Sequence, residues 1–257
     1  MRTSLPLVLL LCCVACAVVD PDLDTDGDGL TDVIEADLGT DPELSDSDAD
    51  GYSDGDEHQA GSDPTDPGDV IYTGGWPYNS DKDSQTDPGW DPGAEEGSMV
   101  PRFVGVDQFG DQVELWDFAG HDRPIVLDMG TIWCEPCRGL AAYLSTGDVA
   151  HVVEYVWWDE AYEGLYDMVQ NEEIYWVTVL FSESDTHGPS SQQDCEDWDA
   201  DFPNEKIPVL ADSELKLHDW IGVTAYPVLN LIDSDLNLTI HRSSGPYGVL
   251  TEVPNLP

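Results

Sequence analysis

Positive charge is what this chain most lacks. Of 257 residues, 8 are Lys or Arg against 54 Asp or Glu, which leaves a formal net charge of −46. That balance excludes nucleic-acid binding, which needs Lys and Arg against phosphates, and it excludes electrostatic docking on anionic lipid. Long apolar runs are scarce too. The longest, Leu5 to Val19, has 15 residues, short of the ~20 that a membrane-spanning helix requires. Cysteine is sparse: of six, Cys12, Cys13 and Cys16 fall inside that run, which leaves too few for a disulfide framework. The remaining classes are an extracytoplasmic protein, a cation binder, or both.

The apolar run gives the compartment. Arg2 supplies a positive start, and the run is of secretion-signal length. Its end, Cys13-Val14-Ala15-Cys16, resembles a bacterial lipobox, in which small residues precede a cysteine that is lipidated and becomes the new N-terminus. Residues 1–15 are therefore expected to be a lipoprotein signal peptide, with Cys16 carrying the lipid. Cleavage by ordinary signal peptidase is the alternative. Ala17 in place of Asp after that cysteine implies, within the resemblance, a bacterial envelope protein anchored at the outer membrane. After processing, Cys134, Cys137 and Cys195 are the thiols that remain.

Residues 20–69 form a different kind of polymer, with 19 Asp and Glu and no Lys or Arg. The segment repeats with a period of 22 residues: the twelve residues from Asp24 to Glu35 recur as Asp46 to Glu57. Each unit places carboxylates at positions 1, 3, 5, 9 and 12 and glycine at position 6. This is the oxygen-ligand spacing of a calcium loop, in which the glycine makes the sharp turn, position 7 offers a backbone carbonyl and the last Glu binds bidentately. The expected ligands are Asp24, Asp26, Asp28, the Leu30 carbonyl, Asp32 and Glu35, then Asp46, Asp48, Asp50, the Tyr52 carbonyl, Asp54 and Glu57. Ten residues separate Glu35 from Asp46, too few for the two full helices between paired EF-hand loops. Residues 16–65 are thus similar to thrombospondin type 3 repeats, which implies structural calcium in an irregular repeat segment. The competing reading is a solvated acidic tether.

Residues 66–99 are rich in Pro, Gly, Ser and Asp and read as a linker. From Val100 to about 250 hydrophobic periodicity predicts an α/β domain. Strands are expected near 103–106, 112–115, 125–129, Ile174 to Phe181, 207–210, Val228 to Ile232 and Leu236 to His241, with helices near 135–144, 159–171, 190–199 and 213–220. The aromatic group Tyr155, Trp157, Trp158, Tyr162 and Tyr166 is expected in the core.

The chemistry-bearing motif is Trp133-Cys134-Glu135-Pro136-Cys137, directly after the apolar run Ile125 to Met129. A strand that delivers two cysteines to a helix N-terminus makes a thiolate accessible, because the helix dipole favours negative charge there. With Tyr226-Pro227-Val228 ahead of a later strand, residues 100–250 resemble thioredoxin-fold proteins of the TlpA and ResA kind. The resemblance implies a thioredoxin-like mixed sheet flanked by helices and a thiol-disulfide oxidoreductase that uses no organic cofactor. Its partners would be a protein thiol or disulfide substrate and an upstream redox protein. Within it, Cys134 is the more exposed nucleophile and Cys137 resolves the mixed disulfide. Asp128 is the buried acid that takes the proton of Cys137, Pro227 the cis-proline facing the dithiol, and Trp133 the cover over the sulfurs. Glu135, a carboxylate between the cysteines, disfavours a very acidic thiol and tilts the pair toward reduction. Tyr226 departs from the smaller or aliphatic residue common before that proline.

Other readings compete. Zinc needs two further ligands, and His121, His151, His187, His218 and Cys195 show no second metal-like spacing. Thr131, three residues before Cys134, suggests a peroxiredoxin-like peroxidase, but Leu127 stands where that motif has proline. A structural disulfide, or a calcium-dependent surface or adhesion protein with a non-catalytic thioredoxin-fold module, completes the set.

Overall fold

The structure is a computed structural model that describes residues 20–182 and 188–256. The expected signal peptide, 1–15, and the expected lipidation site Cys16 lie outside the described residues. The chain divides into two units: residues up to 59 with 64–67, and residues 60–63 with 68 onward.

In the first unit each acidic loop runs into a helix of seven residues, α1 (Asp32–Leu38) and α2 (Asp54–Ala60). The loops are wound by their own carboxylates. Asp24 Oδ1 accepts from Gly27 N at 2.7 Å and Asp28 Oδ1 from Leu30 N at 2.8 Å; the second loop repeats both bonds, Asp46 to Ala49 N at 2.7 Å and Asp50 to Tyr52 N at 2.9 Å. Thr31 caps α1, and Gly39, at φ 96°, ends it in the left-handed conformation that glycine adopts without penalty. The short helices add regular structure that the acidic composition does not advertise.

The second unit is built on a seven-stranded mixed sheet of order β2-β1-β5-β4-β3-β6-β7. Its strands are β1 (Val104–Val106), β2 (Gln112–Glu114), β3 (Ile125–Gly130), β4 (Tyr175–Leu180), β5 (Val209–Ala211), β6 (Val228–Ile232) and β7 (Leu238–Ile240). β3, β4 and β5 are parallel, and β6 runs antiparallel to β3 with Met129 opposite Val228. All six residues of β3 are buried, as a strand covered on both faces must be. Its alternation builds two cores. Ile125, Leu127 and Met129 join Leu217, Trp220 and Ile221 of helix α6 (Lys216–Ile221) on one face. Val126 joins Leu140, Tyr143 and Leu144 of α3 (Glu135–Thr146) and Leu165 and Val169 of α4 (Leu165–Gln170) on the other. α5 (Gln192–Asp201) and a short α7 (Val249–Glu252) complete the unit. This is the thioredoxin-like mixed sheet that the resemblance implies.

Three sequence boundaries shift for local reasons. The helix expected over 159–171 is a 3₁₀ turn at Glu160–Tyr162 followed by α4, divided at Glu163 and Gly164. The helix expected at 213–220 begins only at Lys216, because Leu215 sits at φ 57° in the left-handed region. The strand expected from 207 starts at Val209, after Pro208, which has no N–H for a ladder. The aromatic group behaves as expected: Trp157 and Tyr162 are buried, and Tyr155, Trp158 and Tyr166 pack against the same core.

Of residues 66–99, a linker by composition, those from 68 onward belong to the second unit and pack into it. Tyr72 and Trp76 enter its core, and the bonds that hold them are polar. Asp117, fully buried, accepts from Tyr72 Oη at 2.6 Å, Lys82 Nζ at 2.6 Å and Asn79 N at 3.3 Å, while Trp76 Nε1 donates to Asp107 at 2.8 Å. Lys82 also lies 3.7 Å from Glu114. A buried charge whose partner is removed is strongly destabilised. Lys82→Met is therefore expected to lower unfolding free energy by roughly 3 to 5 kcal/mol, read as a leftward shift of the urea transition with the slope preserved.

Candidate redox centre and candidate metal loops

β3 ends at Gly130, and the chain turns through Thr131 to Trp133 into α3. Cys134 is the N-cap: its Sγ accepts from Cys137 N at 3.2 Å. Pro136 occupies the first turn, where a missing N–H leaves no gap. Cys134 and Cys137 are joined as a disulfide.

The difference in exposure between the two cysteines keeps the expected order but is small in the structure. Cys134 is 4% and Cys137 2% exposed, so in the disulfide form both are nearly covered. Tyr226 packs against the cluster that holds both sulfurs and meets the Trp133 ring edge-on at 5.1 Å. Trp133 itself remains 44% exposed. The Tyr226–Pro227 peptide is cis. Pairing of Val228 with Met129 sets Pro227 beside the end of β3 from which the dithiol emerges.

Cys137 rests on Gly130: a Cβ added there would lie 3.1 Å from Cys137 Sγ and 3.2 Å from its Cβ. A side chain at 130 would crowd the sulfur, so this glycine is part of the site. Sequence reasoning passed over it, although a glycine closing a buried strand just before a CxxC is a readable signal.

Asp128 lies on the same face of β3, one pleat before Gly130, and is 4% exposed. Burial raises its pKa from 3.8 to about 7, against a smaller lowering by the Trp176 indole, which donates to Oδ2 at 3.2 Å. The folded state thus keeps a proton on Asp128 that the unfolded chain has lost between about pH 4 and 7. Stability from this group is complete below pH 4 and declines as pH rises through 7. Glu135 is exposed, and its backbone carbonyl accepts from Tyr155 Oη at 3.1 Å. Cys195 is fully buried, with Sγ 3.8 Å from the Val106 carbonyl, and burial pushes its thiol pKa well above the ordinary value.

Among the described residues, the His, Cys, Asp and Glu groups close enough to share a cation are two Asp triads. They are Asp24, Asp26 and Asp28, and Asp46, Asp48 and Asp50, each offering oxygens within 4.8 Å of one another. Glu35 is fully buried and neither of its carboxylate oxygens has a hydrogen-bond donor; Asp26, Asp48 and Asp50 each bury one such oxygen as well. Burial first, then the charges of Asp26, Asp28, Asp32 and Asp54, raise the Glu35 pKa to about 7. Orphaned, buried, oxygen-only donors fit a hard cation such as calcium. Asp32 and Asp54 have a second duty: both oxygens of each accept from Thr25 or Ser47, through N and Oγ, and close the loops. Glu57 is also fully buried, and Leu30 is buried while Tyr52 is half-buried.

A cavity of about 640 Å³ lined by Tyr72, Trp76, Tyr175, Arg123 and Lys206 opens at the N-terminal ends of β3 and β4, away from the dithiol. Both of its cations are paired with Glu172.

Residues 24–42 and 46–67 match the model of the bacterial TSP3 repeat. No curated protein matches the chain. Among solved structures, the thioredoxin domain of a Bacteroides vulgatus thiol-disulfide oxidoreductase is 16% identical with a TM-score of 0.42, covering 63% of this chain and 99% of its own. An exposed lipoprotein thioredoxin from Streptococcus pneumoniae is 21% identical with a TM-score of 0.41, covering 60% and 99%. A thiol:disulfide interchange protein from a Bacteroides species is 17% identical with a TM-score of 0.40, covering 56% and 79%. Among the described residues no helix is long and apolar enough to cross a membrane.

Asp128→Asn removes the buried proton equilibrium and keeps an acceptor for Trp176. It is expected to stabilise the protein above pH 7 by at most about 4 kcal/mol, with the gain vanishing below pH 4, as measured by urea unfolding across that range.

Proposed function

We propose that this protein is an extracytoplasmic, membrane-anchored thiol-disulfide oxidoreductase that reduces protein disulfides through Cys134 and Cys137. The observation that carries the reading is the dithiol itself: two cysteines joined at the first turn of α3, with a buried acid behind them and a cis-proline beside them. In the reduced protein the Cys134 thiolate attacks a substrate disulfide, and one substrate sulfur leaves as a thiolate that takes up a proton. Asp128 accepts the Cys137 proton, and the Cys137 thiolate then attacks Cys134 Sγ, releasing the second substrate thiol. Two electrons pass to the substrate, and an upstream redox protein restores the dithiol. Trp133 and Pro227 shape the face the substrate meets, and Glu135 keeps the pair on the reducing side.

The repeats are, in this proposal, a calcium-stiffened spacer behind a lipid on Cys16 at the outer membrane. Asp24, Asp26, Asp28, Glu35 and the Leu30 carbonyl hold one ion, and Asp46, Asp48, Asp50, Glu57 and the Tyr52 carbonyl a second, with Asp32 and Asp54 closing the loops. Bound calcium supplies the positive charge that the segment's composition lacks.

Near-complete burial of both sulfurs favours one rival, a disulfide that only staples α3 in a non-catalytic module. Turnover decides between them. The full chain is expected to reduce insulin with dithiothreitol as donor, and Cys134→Ser to lose at least about a hundredfold of that rate; equal rates would sink the enzyme reading. Calcium titration followed by circular dichroism is expected to show ordering of the repeats, and Glu35→Gln to weaken binding roughly tenfold. Unchanged spectra at millimolar calcium would count against metal loops.

A further inference from the structure

The second unit leaves six large apolar side chains exposed among its described residues. Of these, Trp133 directly precedes Cys134, Val153 and Val156 flank Tyr155, which packs on α3, and Tyr247 is bonded to Val156. Val156 is 94% exposed. The segment that presents it is nonetheless fixed. Val152 and Trp157 are buried anchors on either side, and the Trp157 ring stacks on Tyr155 at 5.1 Å with 6° between planes. Tyr155 Oη donates to the carbonyl of Glu135, the residue between the cysteines, and Tyr247 Oη donates to the Val156 carbonyl at 3.4 Å.

α3 is cut to receive this segment. A Cβ at Gly139 would fall 2.6 Å from the Tyr155 ring and 2.9 Å from the His151 carbonyl. A helix-interior glycine lowers helix stability by roughly 1 kcal/mol, and the close approach of the segment gives its reason.

Charge around the ledge has one sign. Glu135, Glu154, Asp159 and Glu160 are exposed. The neighbouring cations are engaged, Arg138 with Asp201 and Arg242 with Glu96, and His151 borders the segment. Apolar side chains held rigidly within a rim of carboxylates complement a polypeptide that is apolar at its centre and cationic at its edges.

We propose that residues 152–156, with Tyr247, form a docking ledge for a cationic, apolar-centred segment of the protein substrate. The proposal rests on the redox reading, because it takes the ledge's partner to be what the dithiol reduces. The ledge lies along α3 beside Glu135, outside the faces given by Trp133 and Pro227, and acts on binding and not on the sulfur chemistry.

Binding and reduction are measured separately. The full chain, oxidised and calcium-loaded, is titrated with a leucine-centred peptide flanked by lysines and with its twin flanked by glutamates. Both carry serine in place of cysteine, so binding needs no redox step. The lysine peptide is expected to bind roughly tenfold tighter at low salt, with the gap closing at about 1 M salt. Glu154→Lys is expected to shrink the preference by roughly threefold, and Val156→Ser to weaken the lysine peptide severalfold. Asp235→Lys is the control, on the turn between β6 and β7 at the opposite end of the sheet from the dithiol, and it should leave the preference unchanged. Equal effects of Glu154→Lys and Asp235→Lys, or no effect of Val156→Ser, would overturn the ledge. Cysteine versions of the peptides test reduction: a wild-type chain that binds but does not reduce them overturns the redox reading and leaves the ledge as a binding site.

Discussion

Strand β3 must be buried on both faces, and the rest of the second unit follows from that. All six of its residues pair with β4 on one side and five of them, Ile125 to Met129, with β6 on the other, so it is an inner strand of the sheet. Its odd positions seed the core under α6 and its even positions the core under α3 and α4. Because α3 is held down by Leu140, Tyr143 and Leu144, its N-terminus has one place to be. Cys137, joined to Cys134, comes to rest on Gly130, with Asp128 one pleat behind on the same face. A strand covered only on one side would let the helix slide and the sulfurs with it.

The chain handles its excess of carboxylate in three ways. Most Asp and Glu stay in water, where repulsion is screened. A few are paired with scarce cations: the buried Asp117 and Glu114 share Lys82, and Arg102 bridges Glu114 and the exposed Asp83. Others are gathered in the two loops, where Glu35 has charges of its own sign for neighbours and no donor within reach. The second arrangement is complete within the protein. In the third, the buried oxygens of Glu35 have no hydrogen-bond donor from the protein.

Much of the architecture was legible because burial writes a period into the sequence. Ile125 to Met129 and Ile174 to Phe181 are apolar but for Asp128 and Thr178, as two-sided strands largely are, and the acidic loops are legible because ligand spacing is local. The folding of residues 70–99 onto the domain was not legible. Composition there is that of a linker, and the interactions that override it join residues 31 to 45 positions apart, such as Trp76 with Asp107 and Tyr72 with Asp117. The division of the 159–171 helix and the late start of α6 escaped for a related reason: both turn on the backbone conformation of one or two residues.

The sequence by itself determined the chemistry available: a cysteine pair at a strand-to-helix turn, an acid six residues upstream, a proline ahead of a later strand, and two oxygen-rich loops in register. Each is a matter of residue type and local spacing. Tertiary structure alone decided how accessible that chemistry is. It buried both cysteines beside Tyr226, gave Gly130 and Gly139 their necessity, and tied the segment that carries the exposed Val156 to α3 through the hydroxyl of Tyr155. These outcomes depend on packing between segments far apart in the chain, and no local spacing encodes them.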